Sequence, residues 1–411
     1  MRAAIIGAGI GGLCTAIGLA RAGADVTVFE RAEVLKPRGS GLSIFGNGLA
    51  ALDALGAGDA VRAISGSGAT ASRAGQRTPD GSWLATIPAA GVGELRIVHR
   101  ADLHEQLVAL LPPGALRLGV AVTAVADGGR RVEFADASGT AAGEFGLTVA
   151  ADGLRSAVRR SWPGDRGIRY SGYSTWRGVT DRPVDLRGEA GETWGRGLRF
   201  GLAPLADGRV YWFGVATMPE GAAIDDEFGE VRRLFGHWHA PIPELLDATD
   251  PEGVFRLPIH DLAGPLPTFR QERCVLLGDA AHAMTPDLGQ GAGQAMEDAA
   301  TLAALLAPFV RAGTAPTAGI DDALAEYDRL RRARTQPLAR RARMLGRVAQ
   351  ARSAVGSGLR DAVLRATPPS ALARQAAAVQ HWQPPVPGAA LQPAGGDQRG
   401  ISGGSSASSI T

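Results

Sequence analysis

At 411 residues, the chain is long enough for two cores, or for one unit interleaved with another. Apolar residues make up 45% and charged residues 20%, which excludes a disordered or fibrous chain. With 43 basic against 41 acidic residues, the formal charge is only +2, and no nucleic-acid partner is expected.

Arg2-Ala3-Ala4-Ile5-Ile6 reads as a short buried strand, and no charged leader precedes it. No run of 18 uninterrupted apolar residues follows anywhere in the chain. Neither a signal peptide nor stable membrane insertion is therefore expected, and the expected setting is the cytoplasm. Gly7 to Gly12 reads as a glycine turn. A helix is expected from Leu13 to Ala22, and a second strand over residues 25–30.

Gly7-Ala8-Gly9-Ile10-Gly11-Gly12 matches G-x-G-x-x-G between that strand and that helix. In this pattern Gly7 makes the tight turn and Gly9 lets backbone approach a pyrophosphate. Gly12 lets the helix pack close to the strand, and Gly11 belongs to the same loop. The helix start adds free N–H groups facing the phosphates. Glu30 follows at roughly the 20-residue spacing expected of a ribose-binding carboxylate. This loop implies a dinucleotide but not which one.

Leu147 to Ala151 forms a further apolar run, ending at Asp152-Gly153. Residues 166–262 alternate apolar with polar residues and are rich in aromatics. A mostly antiparallel sheet is expected there, with turns at Asp207-Gly208 and Pro219-Glu220-Gly221.

Cys274 to Leu277 is another buried strand, ending at Gly278-Asp279, and a long helix is expected from Gln290 to Phe309. Asp279, at the strand end, is placed to accept hydrogen bonds from ribityl hydroxyls. Gly289 and Gly291 bring backbone N–H groups to a ligand at a helix start, which favours negative charge there. Cys14 and Cys274 lie in apolar runs, so neither a disulfide framework nor a metal site is expected. The arginine-rich stretch 329–347 is expected to be a solvated helix face. From Pro384 the chain turns to Pro, Gly, Ser and Gln, the composition of a tail that does not order itself.

The glycine loop, Asp152-Gly153 and the segment from Gly278 to Gly291 together resemble the single-component FAD-dependent aromatic hydroxylases. That family includes para-hydroxybenzoate and salicylate hydroxylases, FAD-dependent urate hydroxylases and zeaxanthin epoxidases. The resemblance covers roughly residues 1–345. It implies an α/β fold: a Rossmann-like FAD-binding domain, an inserted mostly antiparallel substrate sheet, and C-terminal helices. The expected divisions are 1–165 and 266–345 for the FAD-binding domain and 166–265 for the substrate domain. A helical region over 346–383 and a tail over 384–411 would follow.

FAD is the implied cofactor, with NADH or NADPH as co-substrate, O2, and a small-molecule substrate. The implied reaction is hydroxylation of a small aromatic or heteroaromatic ring through a flavin C4a-hydroperoxide. Epoxidation of an olefin or polyketide, and a flavin oxidase or dehydrogenase without oxygen insertion, stay open as alternatives. A monomer or homodimer is expected. Carried over, the resemblance puts Glu30 and Arg31 at the ribose end, and Ser43 and Arg100 along the cofactor. Val122 would touch adenine through its backbone, and Asp152 would lie near the pyrophosphate. Gly289, Gln290, Gly291 and Ala292 would stand beside the flavin ring.

Arg199 and Tyr211 resemble substrate-facing positions; Arg199 could hold an anionic oxygen and Tyr211 a ring carbonyl. Trp176 and Arg177 either line the flavin or hold the domains together. His282 reads as structural rather than as a general base. Two departures stand out: Asp287 where many relatives have Asn, and Gly293 in place of the usual Asn.

Overall fold

The computed structural model describes residues 1–35, 40–67, 73–87, 93–311 and 317–385. The tail expected over 384–411 lies almost wholly outside them. One six-stranded sheet runs in the order Arg270–Gln271, Cys274–Leu276, Leu147–Ala150, Arg2–Ile6, Asp25–Phe29, Leu116–Arg117. All its pairings are parallel except the outermost, between Arg270–Gln271 and Cys274–Leu276. Its central strands are apolar along their length because both faces are covered; Ala3, Ile5, Leu147, Val149 and Val275 have no exposed surface. Strands from the two ends of the chain thus lie side by side in one sheet.

The first helix starts at Ile10, inside the glycine motif, and runs to Arg21. The expected start at Leu13 was three residues late, because Gly11 and Gly12 fit the first helical turn once a neighbour needs their missing side chains. A Cβ on Gly12 would overlap the carbonyl oxygen of Gly7. Gly7 itself has φ +102°, a conformation that favours glycine.

A seven-stranded sheet stands apart from the first. Its order is Phe255–Leu262, Ile168–Val179, Val210–Thr217, Leu198–Pro204, Glu189–Trp194, Arg73–Arg77, Trp83–Ile87. Pairing is antiparallel throughout, save that Glu189–Trp194 runs parallel to Arg73–Arg77. The expected turn at Asp207-Gly208 joins two of these strands. The sheet expected over 166–262 therefore also takes two strands from 73–87, and it carries the helices Glu227–Phe235 and Ile242–Asp247.

Side chains alternate across this sheet, as period-2 geometry requires. Trp176, Phe200 and Trp212 point to one face and pack with Phe235 and Leu245 of the helices behind. Phe200 and Trp212 stack at 5.5 Å. Thr175, Arg177, Arg199, Tyr211, Phe213 and Val215 point the other way and line a cleft. Trp176 is consequently turned from the cleft; its Nε1 donates to Glu227 at 2.6 Å.

The helix Gly291–Arg311 packs on Ile10–Arg21 and on Gly46–Leu55. Gly293 belongs to the second contact: a Cβ there would lie 3.2 Å from Asn47 Nδ2. The 33-residue helix Thr317–Ala349 then lies along it. Its arginines are not a uniformly solvated face. Arg331 is buried and donates to Asp298 at 2.5 Å and Glu297 at 2.7 Å. Arg343 donates to Asp261 at 2.7 Å on a strand of the seven-stranded sheet. Acidic partners distant in sequence took up charges that local reading left to solvent. Helices Ala354–Ala366 and Pro369–Gln380 follow.

Candidate active site

Two cavities meet along the carboxyl ends of the parallel strands. The first, about 390 Å³, is walled by Ala8, Gly9, Glu30, Arg100, His104 and Arg177 among others. The second, about 420 Å³, shares Gly9, Ile10, Arg100 and Arg177 with it and continues under the seven-stranded sheet. Together they form one elongated groove, bounded by segments as far apart in the chain as Ala8 and Ala295. Such a crevice outside the carboxyl ends of parallel strands is where α/β sheets bind nucleotides.

At the first end, Glu30 follows its strand directly. Its carboxylate accepts from the Ala8 N–H and the Ala32 N–H, each at 2.9 Å. A Cβ on Gly9 would meet nothing within 4 Å, so its backbone borders open space. His104 Nε2 pairs with the Ala8 carbonyl at 2.6 Å and fixes the loop from the cavity wall. Sequence reasoning missed His104, which lies 96 residues away and carries no local motif.

At the second end, Gly278 turns the chain at φ +62° and Asp279 opens a short helix at the cleft wall. Asp298 holds this turn. Its Oδ2 accepts from the Gly278 N–H at 2.8 Å and pairs with His282 Nε2 at 2.6 Å. Burial alone would raise the Asp298 pKa, but the charges of His282 and Arg331 bring it down to about 2. His282 is buried in this cluster rather than facing the groove. Gly289, Gly291 and Ala292 line the groove where Gly291–Arg311 begins.

Of the other expected cofactor residues, Gly11 and Ser43 line the second cavity. Gly7 and Gly12 shape the loop without lining either cavity. Arg31 is exposed and outside both. Val122 is half-buried on the strand Ala121–Ala126 and packs toward Phe29 and Phe134, not into the groove. Gln290 turns its side chain inward and accepts from Asn47 Nδ2 at 2.9 Å. Asp152 caps a short helix, its Oδ2 accepting from the Ala157 N–H at 2.7 Å. Its Oδ1 is buried without a hydrogen-bond partner.

Over the second cavity, Tyr211 presents a hydroxyl for which burial raises the pKa, with Arg177 and Arg100 pulling against it. Arg100 is shifted the other way: desolvation and Arg177 lower it, while Asp279 opposes. Arg199 lines the cavity but is already engaged. Its Nη2 donates to Asp287 Oδ1 at 2.7 Å, and Nη1 lies 3.5 Å from Glu192. Burial alone would lower the Arg199 pKa; Glu192, Asp287 and Tyr173 hold it above its ordinary value. Tyr173 donates to the second Asp287 oxygen at 2.6 Å. Arg199 as a free holder of an anionic oxygen, the sequence expectation, does not fit this pairing. Glu192 had no signal beyond its place on an alternating strand.

A family model described as an FAD binding domain matches residues 1–342, and the chain belongs to that FAD-binding family. It is 38% identical over 372 residues to the Aurachin C monooxygenase/isomerase of Stigmatella aurantiaca, covering 88% of this chain and 93% of that protein. It is 34% identical over 359 residues to an FAD-dependent urate hydroxylase of Klebsiella pneumoniae, covering 84% and 89%. The solved structure of Klebsiella pneumoniae HpxO complexed with FAD and uric acid matches with a TM-score of 0.82 and 29% identity, over 92% of this chain and 96% of that one. The chain is accordingly an FAD-dependent enzyme of the monooxygenase class.

The residues present fit FAD. The groove reaches from the glycine loop to the wall under the seven-stranded sheet. Buried polar atoms without partners, Arg177 Nε and Asp152 Oδ1, belong to residues in or beside it. At Gly9, Gly153 and Gly291 an added Cβ would meet no atom within 4 Å.

Proposed function

We propose that this chain uses NAD(P)H and O2 to hydroxylate a small aromatic or heteroaromatic ring held beneath the seven-stranded sheet. The observation that carries this is the single groove, in which a dinucleotide cradle runs directly into a pocket walled by Tyr211, Phe213 and Val215. A cytoplasmic setting, where NAD(P)H is supplied, belongs to the same reading.

Glu30 is the ribose-binding carboxylate of this reading, and the Gly9 backbone with the helix start receives the diphosphate. Arg100 and Arg177, at the neck of the groove, complement its charge. Asp279 would accept from the ribityl chain, and Gly291 and Ala292 at the helix start would hold the flavin ring. Bound FAD would supply the redox chemistry that takes electrons from NAD(P)H and activates O2.

The remaining work falls to the chain's own residues. Tyr211 keeps its proton, because burial raises its pKa, and donates a hydrogen bond to a ring oxygen. No hydrogen bond from the described residues engages that hydroxyl. Phe213 and Val215 keep water from the ring and fix its plane by contact. Gly201 lies directly under Phe213, where a side chain would collide with the phenyl ring.

The test is turnover under isotopically labelled O2 with a panel of phenols, aromatic amides and fused N-heterocycles. One labelled oxygen atom in the product, with NAD(P)H consumed in step, is expected. NAD(P)H oxidation that leaves every ring unlabelled would replace this reading with an oxidase.

A further inference from the structure

We propose that the pocket selects an uncharged heteroaromatic ring over an anionic one, and that Asp287 sets this preference by holding Arg199 in an internal ion pair. The inference rests on the reading of the groove as an oxygenase site and narrows its substrate class.

Charge accounting within the groove leads there. Six charged side chains line the second cavity: Arg100, Arg177, Arg199, Asp279, Glu192 and Asp287. Arg100 and Arg177 also line the first cavity, at the glycine-loop side. With Arg100 and Arg177 given to the FAD diphosphate and Asp279 to the ribityl chain in that reading, the substrate wall keeps one cation of its own, Arg199, and two carboxylates, Glu192 and Asp287. Asp287 bonds Arg199 at 2.7 Å, with the two side chains 0% and 3% exposed. Glu192 approaches from another side at 3.5 Å.

An entering anion would meet a guanidinium already neutralised and a second carboxylate close by. In a site shielded from water such a like-charge encounter is unfavourable, and it favours neutral partners by exclusion. Arg199 is not fully spent inside the chain: its Nε is buried without a hydrogen-bond partner. A ring carbonyl can accept from an N–H without bringing charge. The Tyr211 hydroxyl and the apolar Phe213 and Val215 complete a wall suited to a flat, neutral, carbonyl-bearing ring.

Asp287 is fixed in this role by its second oxygen. Tyr173 of Ile168–Val179 donates to it at 2.6 Å, so both carboxylate oxygens are engaged. It is a positioning residue: it acts on the ligand through Arg199.

The experiment uses FAD-loaded protein and reads binding, not turnover. Perturbation of the flavin absorption band is titrated with ligand pairs of one shape and different charge: 4-quinolone-2-carboxamide against 4-quinolone-2-carboxylate, and the matching pyridine and benzene pairs, at neutral pH. Wild type is expected to bind the amides about tenfold or more tightly than the acids. Asp287→Asn, which keeps the shape and frees the Arg199 charge, is expected to shrink that ratio about tenfold, mainly through gained affinity for the acids. Glu192→Gln is expected to move it the same way by less.

Equal or tighter binding of the acids by wild type would overturn the proposal, as would an unchanged ratio in Asp287→Asn, or amides that bind nowhere in the series. If Asp287→Asn does not fold, the wild-type ratio and Glu192→Gln decide. An amide preference without labelled product would sink the oxygenase reading alone; labelled product from acids with no amide preference would sink only this one.

Discussion

Single side chains in this protein are read best through what already satisfies them. Asp279 stands at the groove wall and its side chain makes no hydrogen bond or ion pair with the described residues, which leaves its carboxylate for a ligand. Asp279→Ala removes a charged acceptor worth about 1.5–3 kcal/mol, or tenfold and more in FAD affinity. Purified variant protein should be mostly colourless by its ratio of absorbance at the flavin band to that of protein; a fully yellow variant would remove the ribityl assignment. Gly12→Ala is a harsher change, since its Cβ would drive into Gly7's carbonyl. It should lower the melting temperature and the FAD content together, whereas loss of neither would mean the loop moves freely.

The glycine loop and Glu30 were legible because their partners lie within one βαβ unit. Arg199 was legible as a cleft residue but not as an engaged one, because Asp287 is 88 positions away. The contacts expected of Val122, through its backbone, and of Gln290 were carried from resemblance; the side chain of Val122 packs beside Phe29 and Phe134 and that of Gln290 bonds Asn47.

At the scale of elements, charge clusters join the helices where composition suggested bare solvent. Asp298 and Glu297 of Gly291–Arg311 receive Arg331 from Thr317–Ala349, and Asp298 also receives His282 and the Gly278 N–H. Arg331→Met would remove the buried cation between the two carboxylates, leaving Glu297 to Arg334 and Asp298 to His282, at a cost on the order of 3–5 kcal/mol. Chemical denaturation should show a loss of that order; a change under about 1 kcal/mol would mean solvent reaches the cluster.

The same cluster makes a pH statement. Burial opposes ionisation of Asp298, yet His282 and Arg331 win and lower its pKa from 3.8 to about 2 in the folded chain. A depressed folded pKa contributes stability that is present above about pH 4 and lost as pH falls toward 2. The term is on the order of 2 kcal/mol. Asp298→Asn should flatten that part of the acid-unfolding curve, and an unchanged acid limb would place the loss elsewhere. Helix and strand positions were largely legible from periodicity. The helices Glu227–Phe235 and Ile242–Asp247 were not, since each is short and lies inside a stretch dominated by alternating strands.

At the scale of the whole molecule, the chain leaves its first sheet, builds a second, and returns to finish the first. Cys274–Leu276 closes beside Leu147–Ala150, which pairs with Arg2–Ile6. The return was legible, because a strand, a Gly-Asp turn and a long helix recur late in the sequence. The contribution of 73–87 was not. Its parallel pairing with Glu189–Trp194 joins segments over a hundred residues apart, and such a contact leaves no periodic mark in either. The Arg77–Glu189 ion pair and the packing of Arg77 over Trp83 at 3.9 Å hold this edge.

Both returns serve one end: Glu30 and Gly9 from the start of the chain and Asp279 and Gly291 from its later part border one groove. Calorimetric titration of deflavinated, folded protein with FAD tests this most directly. The expected result is one FAD per chain, with affinity falling at least about tenfold in Glu30→Ala and in Asp279→Ala alike. Folded protein that takes up no FAD, or whose uptake ignores either substitution, would contradict it.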